Sequence, residues 1–316
     1  MPKLLNISGT GRSGTTIIKE ILSQHPSVAT VKGREMRILC DPDGILDFYR
    51  TLKTNPSPFI FDSSMKRFES AYKAIMNGSK VHAGIGYHLR TKVGSVFNRV
   101  ATPRYMGVTG GRFLLNHKQI YNEFLEDLGA CLYNGRYIGS SLFEKQQMSY
   151  KTTGTSATKQ AFRKLVQKYI DGIRAEKPVL CEDNPFSFYF HKEYQELLGT
   201  SHEMFFIIRD PRDIVASSID MTWAPTEVGS CALYIKSILE SFEDTPDVKI
   251  VKLEEFIANP RQQVKRIFDS IELEDCELDF SMLNNKSIGR YRSLEPSKIR
   301  ELDRIFHHEL EKYGYT

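Results

Sequence analysis

The chain has 316 residues, 41% of them hydrophobic and 26% charged, long and apolar enough for the large core of a single α/β domain spanning 1–316. Its 43 Lys and Arg against 39 Asp and Glu leave a formal net charge of +4, an excess too mild to indicate nucleic acid. Cys40, Cys131, Cys181, Cys231 and Cys276 include no C-x-x-C pair and no histidines at zinc spacing, and no apolar run is long enough for a bilayer, so free thiols, no metal and no transmembrane segment are expected.

From the amino terminus, Leu4, Leu5 and Ile7 predict a strand over 3–8 that begins too early to leave room for a signal peptide, and a cytoplasmic location is expected. A glycine-rich turn follows, then a helix over 15–24 and a strand over 28–31. Helices are predicted over 64–76, 117–128 and 156–175. The pattern then runs strand 178–182, helix 187–198, strand 203–208, helices 212–221 and 230–242, strand 247–253, and helices 260–271 and 296–313. Such alternation implies a parallel sheet covered by helices on both faces, with ligands at the carboxyl ends of its strands. The stretch from about 80 to 156 fits this alternation badly and is rich in glycine and aromatic residues. No low-complexity linker or internal repeat divides the chain. His191, His202, His307 and His308 read as surface or packing residues.

Two segments carry chemistry. Gly9-Thr10-Gly11-Arg12-Ser13-Gly14-Thr15-Thr16 has the spacing of the phosphate-binding pattern G-x-x-x-x-G-K-[ST], but Thr15 stands where the lysine belongs. Glycines let successive N–H groups converge on an anion at the positive end of the next helix. A nucleoside triphosphatase uses the missing lysine, with magnesium, on the β- and γ-phosphates. Here the nearest cation is Arg12, which points to a nucleotide without a triphosphate. The second segment, Met204 to Ser218, reads as a buried strand ending at Arg209-Asp210-Pro211, with Pro211 suited to a first helical turn. Arg209 at the strand end and Ser217 two turns into the helix can converge on one more phosphate.

Together these segments resemble the 5′-phosphosulfate loop and the 3′-phosphate strand–helix of sulfotransferases that use 3′-phosphoadenosine 5′-phosphosulfate. The resemblance implies a P-loop-type parallel sheet flanked by helices, with Ser13, Gly14, Thr15 and Thr16 on the 5′-phosphosulfate and Arg209 and Ser217 on the 3′-phosphate. It extends to Val248 through Pro260 and to Ser287-Ile288-Gly289-Arg290-Tyr291-Arg292, where Arg290 is expected to close over the phosphates. In Arg12 it implies a charge that meets the bridging oxygen as the nucleotide leaves. His25-Pro26-Ser27-Val28 followed by Glu35 and Arg37 is similar to the segment that supplies the base in tyrosylprotein and glycan sulfotransferases. Glu35 is thus the candidate base and Arg37 its neighbour on the acceptor or the sulfonate; a surface ion-pair cluster is the plainer reading.

The implied reaction is sulfonate transfer to an acceptor hydroxyl on a tyrosyl peptide or glycan, with adenosine 3′,5′-bisphosphate as product and no metal required. One departure stands out: Asp183, in Glu182-Asp183-Asn184-Pro185, occupies the place of a lysine that relatives use on the sulfonate. Arg37 or another cation substitutes for it, or the active site differs. A P-loop kinase or nucleoside triphosphatase is the alternative, opposed by Thr15 and by the lack of a clear aspartate at the end of an apolar strand. A non-catalytic nucleotide-binding homologue is another. Between Glu69 and Glu123 there is no Asp or Glu, while Lys73, Lys80, Arg90, Lys92, Arg99, Arg104, Arg112 and Lys118 occur there, with His82, His88 and His117. The stretch at about 80–156 is therefore expected to be an acceptor-binding insertion for an anionic partner. Oligomeric state is not legible.

Overall fold

The computed structural model describes residues 3–31, 35–77, 111, 114–136, 145–242 and 248–315. The chain divides into two compact units, one formed by Met1–Glu35, Arg174–Gln195 and Gly199–Thr316, the other by Met36–Ile173 and Glu196–Leu198. The strands in chain order are β1 (Lys3–Gly9), β2 (Val28–Ala29), β3 (Ala130–Gly135), β4 (Gln146–Lys151), β5 (Val179–Glu182), β6 (His202–Ile208) and β7 (Val248–Lys252).

In the first unit, five parallel strands form a sheet in the order β2-β5-β1-β6-β7. β1 is central and its apolar residues are fully buried, as expected of a parallel strand covered on both faces. Leu5 and Ile7 join Ile18, Ile21, Phe205 and Phe268 in the core on one face, beneath the helices Thr15–Leu22 and Pro260–Ser270. On the other face Phe206 stacks on Phe242 with ring centroids 4.0 Å apart and meets Phe188 edge-on at 5.2 Å. The chain passes from β5 on one side of β1 to β6 on the other, and the carboxyl end of β1, where the order switches, is where an α/β sheet offers its crevice.

The second unit is helical, with the antiparallel pair β3–β4. Phe48, Phe61, Phe68, Phe124 and Phe162 form its aromatic core, with Phe48 and Phe68 stacked at 5.0 Å. Its helices Arg37–Cys40 and Ile45–Thr54 and its hairpin were not foreseen. The helix expected at 64–76 begins at Pro58, where Ser57 offers its hydroxyl to the N–H of Ile60. Of the expected acceptor-binding insertion, residues 78–110, 112–113 and 137–144 lie outside the described residues, and with them Lys80, Arg90, Lys92, Arg99, Arg104, Arg112, His82 and His88.

Several boundaries differ from expectation. β2 spans only Val28–Ala29. The expected strand over 247–253 ends at Lys252 and runs straight into the helix Leu253–Ala258. The final helix divides into Pro296–Ile305 and His307–Tyr313, with fully buried Phe306 at the break. The five cysteines are free thiols. No described helix is long and apolar enough to cross a membrane.

Candidate functional site

β1 ends at Gly9, and the loop to the helix Thr15–Leu22 is built from left-handed residues: Gly11 at φ 78°, Arg12 at 55° and Gly14 at 95°. The two glycines adopt such angles freely, whereas Arg12 is held there at a cost and persists because its surroundings fix it. No side chain caps the helix among the described residues, which leaves the N–H groups of its first turn to an anion. Ser13 is completely buried, and its hydroxyl has no hydrogen-bond partner among the described residues. An orphaned hydroxyl inside a turn of convergent N–H groups fits a phosphate or phosphosulfate. The space is closely set: a Cβ on Gly14 would lie 2.6 Å from Leu253 Cδ1.

The second basic segment meets this loop. The Arg12 Nε donates to Ser217 Oγ at 2.9 Å, and Arg209 Nη1 donates to the Arg12 carbonyl at 2.8 Å. Arg209 is only 4% exposed and also donates to the Ser287 carbonyl. Burial pulls its guanidinium below the usual range; Asp213 and Glu254 oppose the shift, and the positive charges of Arg12 and Arg290 add to it. Asp213, itself buried, accepts the N–H of Gly289 at 2.7 Å and that of Tyr291 at 2.9 Å and lies 3.6 Å from Arg209. The turn bearing Arg290 is thereby tied to the helix Pro211–Ser218, and Arg290 reaches solvent beside Asp220 at 3.6 Å. Arg12, Arg209, Arg290 and Ser217 are thus brought together with Ser13, Gly14, Thr15 and Thr16. A neighbouring cavity of about 330 Å³ is lined by the acids Asp210, Asp213 and Glu254 together with Arg212 and Arg292.

Trp223, not foreseen, is the chain's one tryptophan. Its ring lies against Gly11, where an added Cβ would be 3.3 Å from Cη2, and it is 46% exposed. A lone tryptophan in a polar loop just after the second phosphate motif was the available signal.

Asp183 stands just past the carboxyl end of β5, beside the loop. Its Oδ2 accepts the Thr16 hydroxyl at 2.8 Å, and its Oδ1 is 2.5 Å from the Lys19 ammonium. Contrary to the sequence expectation, an aspartate at an apolar strand end is present, and Lys19 is the cation beside it. Lys19 is the third residue after Thr16 on the same helix, so the two rise from one helical face.

Glu35 is the last residue of the first unit and half-buried, close enough for its charge to act on Glu182. Burial pushes the Glu182 carboxyl up to about 8, opposed by a hydrogen bond from Asn6 at 3.0 Å. Asn6 also meets His202 Nε2 at 2.7 Å, and burial lowers that imidazole to about 3. Arg37 belongs to the second unit, where it forms a bidentate pair with Asp41, Nε to Oδ1 at 2.8 Å and Nη2 to Oδ2 at 2.8 Å.

No protein-family model matches the chain, and no curated protein does. Similar solved structures include the sulfotransferase domain of the Synechococcus PCC 7002 olefin synthase, with 14% identity over 96% of this chain and 87% of that one at a TM-score of 0.40. Sulfotransferase STF9 from Mycobacterium avium is 13% identical over 99% and 76% of the two chains at 0.40. A sulfotransferase from Alicyclobacillus acidocaldarius is 15% identical over 97% and 96% at 0.37. At such TM-scores the likeness is too distant to bear on function, which rests on the residues of the site.

Proposed function

We propose that the protein is a sulfotransferase that moves a sulfonate group from 3′-phosphoadenosine 5′-phosphosulfate to an acceptor hydroxyl, leaving adenosine 3′,5′-bisphosphate. The observation that carries the reading is the Arg12–Ser217 hydrogen bond, which joins the two phosphate motifs, 205 residues apart, into one basic site. One motif alone fits many nucleotides. Two, set so that one guanidinium spans both, favour a ligand with phosphates at two separate positions.

In this reading the loop N–H groups, that of Thr16 among them, and the Ser13 hydroxyl hold the 5′ group. Arg209, Ser217 and Arg290 hold the 3′-phosphate, and Trp223 offers a face for the purine. The donor supplies an activated sulfonate whose bridging S–O bond breaks as the acceptor oxygen bonds to sulfur. Glu35 takes the acceptor hydroxyl's proton, and Arg12 steadies the charge on the departing phosphate oxygen. The acceptor is anionic, by the acid-free basic stretch between Glu69 and Glu123. Transfer of labelled sulfonate to a panel of acidic tyrosine peptides and glycans tests the reading. Labelled product that disappears in Glu35→Gln is expected; no transfer to any acceptor, with bisphosphate bound normally, would leave a non-catalytic binding protein.

A kinase reading draws support from one observation, the Asp183–Thr16 hydrogen bond, since P-loop kinases hold magnesium with that pair of residue types. It requires the site to accept ATP with magnesium.

A further inference from the structure

In a P-loop of this spacing the hydroxyl at the position of Thr16, with a strand-end aspartate, ordinarily holds a divalent cation. Both groups are here: Thr16 Oγ1 lies 2.8 Å from Asp183 Oδ2. The other oxygen of that carboxylate is 2.5 Å from the Lys19 ammonium. Lys19 and Asp183 are 1% and 2% exposed, so each charge persists in this interior because the other is there. The Lys19 ammonium also lies 3.5 Å from the Val31 carbonyl and 3.9 Å from Glu20. An acid at position 183 would by itself repel an anion held by Thr16; the lysine cancels that charge from within the fold.

We propose that Lys19 is a built-in replacement for the divalent cation of the phosphate loop, a positioning residue whose ammonium neutralises Asp183 and so keeps Thr16 in place without metal. In its nucleotide consequence the proposal rests on the function proposed above; in its metal consequence it does not. Lys19 binds the carboxylate from the same helix that carries the loop, so the site is complete in any divalent concentration. Removing the ammonium leaves Asp183 and Thr16 as an oxygen site of the kind magnesium takes.

The test compares the wild-type protein, Lys19→Met and Lys19→Met/Asp183→Asn in thermal melts without nucleotide, in chelator or in magnesium chloride. Wild type and the double variant are expected to melt alike in both solutions. Lys19→Met is expected to melt lower in chelator and to gain about 3 °C or more from magnesium, because only its native state binds the ion. In a parallel titration with adenosine 3′,5′-bisphosphate, magnesium should tighten binding about tenfold or more in Lys19→Met alone. A Lys19→Met melt indifferent to magnesium overturns the proposal. So does a wild-type protein that magnesium stabilises as strongly, or a Lys19→Met that stays unfolded in magnesium while the double variant folds. If the wild-type protein does not bind the bisphosphate, the sulfotransferase reading falls while the melts still decide the role of Lys19.

Discussion

Arg209 shows how much one buried side chain can be asked to do. It donates to two carbonyls, that of Arg12 in the loop and that of Ser287 in the closing segment, while facing Asp213. Arg209→Ala is expected to weaken adenosine 3′,5′-bisphosphate binding by about ten- to a hundred-fold, the usual size of a lost charge-assisted contact, measured by titration. Glu35→Gln keeps shape and hydrogen bonding but cannot take a proton. It is expected to leave that affinity intact while lowering transfer by about a hundred- to ten-thousand-fold; normal turnover would remove Glu35 from the mechanism. Asp183→Asn strands the buried Lys19 ammonium and is expected to destabilise the fold by about 3–5 kcal/mol in urea unfolding. The loop residues and Arg209 were legible because glycine spacing and a strand-end arginine have fixed geometric meanings. The Lys19–Asp183 pair was not: its partners are 164 residues apart, and nothing in local pattern distinguishes a lysine that enters the core from one on the surface.

At the scale of elements, the helix Pro211–Ser218 does more than follow a strand. Asp210 caps it by accepting the N–H of Arg212 at 2.9 Å, and Asp213 in its first turn holds the N–H groups of Gly289 and Tyr291. Asp213→Ala removes both anchors and is expected to speed amide exchange at 287–292 and to weaken bisphosphate binding through Arg290. Unchanged exchange there would show that the segment is held by other contacts. The alternation of strands and helices in the first unit was legible because apolar runs of strand length alternate with stretches of helical period. The helical second unit was read less well. Arg37–Cys40 is a single turn, too short for a period to show, and in the β3–β4 hairpin Leu132, Tyr133 and Tyr150 are exposed, so the inside–outside alternation that marks a strand is missing.

Across the whole molecule, two buried groups bend the pH dependence of stability in opposite directions. Glu182, raised from 4.5 to about 8, binds more protons folded than unfolded, so stability falls as pH climbs from 4.5 towards 8. His202, lowered from 6.5 to about 3, binds fewer, so stability falls as pH drops from 6.5 towards 3. Their contributions cancel between 4.5 and 6.5, and a plateau there is expected in urea unfolding, with Glu182→Gln abolishing the alkaline decline. The proposed anionic acceptor carries a consequence at longer range. Its attraction is screened beyond a Debye length of about 8 Å at physiological salt, so acceptor KM should rise with salt more than donor KM. Arg90→Ala with Lys92→Ala should raise acceptor KM while sparing bisphosphate affinity; indifference to both would make the acceptor neutral.

The central claim is that one basic site holds a nucleotide with phosphates at its 3′ and 5′ positions and needs no metal to do so. Titration of the wild-type protein with adenosine 3′,5′-bisphosphate in chelator, followed by heat and by the fluorescence of Trp223, tests it most directly. Saturable binding that quenches the tryptophan and is lost in Arg209→Ala is the predicted result, with ATP and magnesium much weaker. Tight binding of ATP that depends on magnesium, with no response to the bisphosphate, would contradict it.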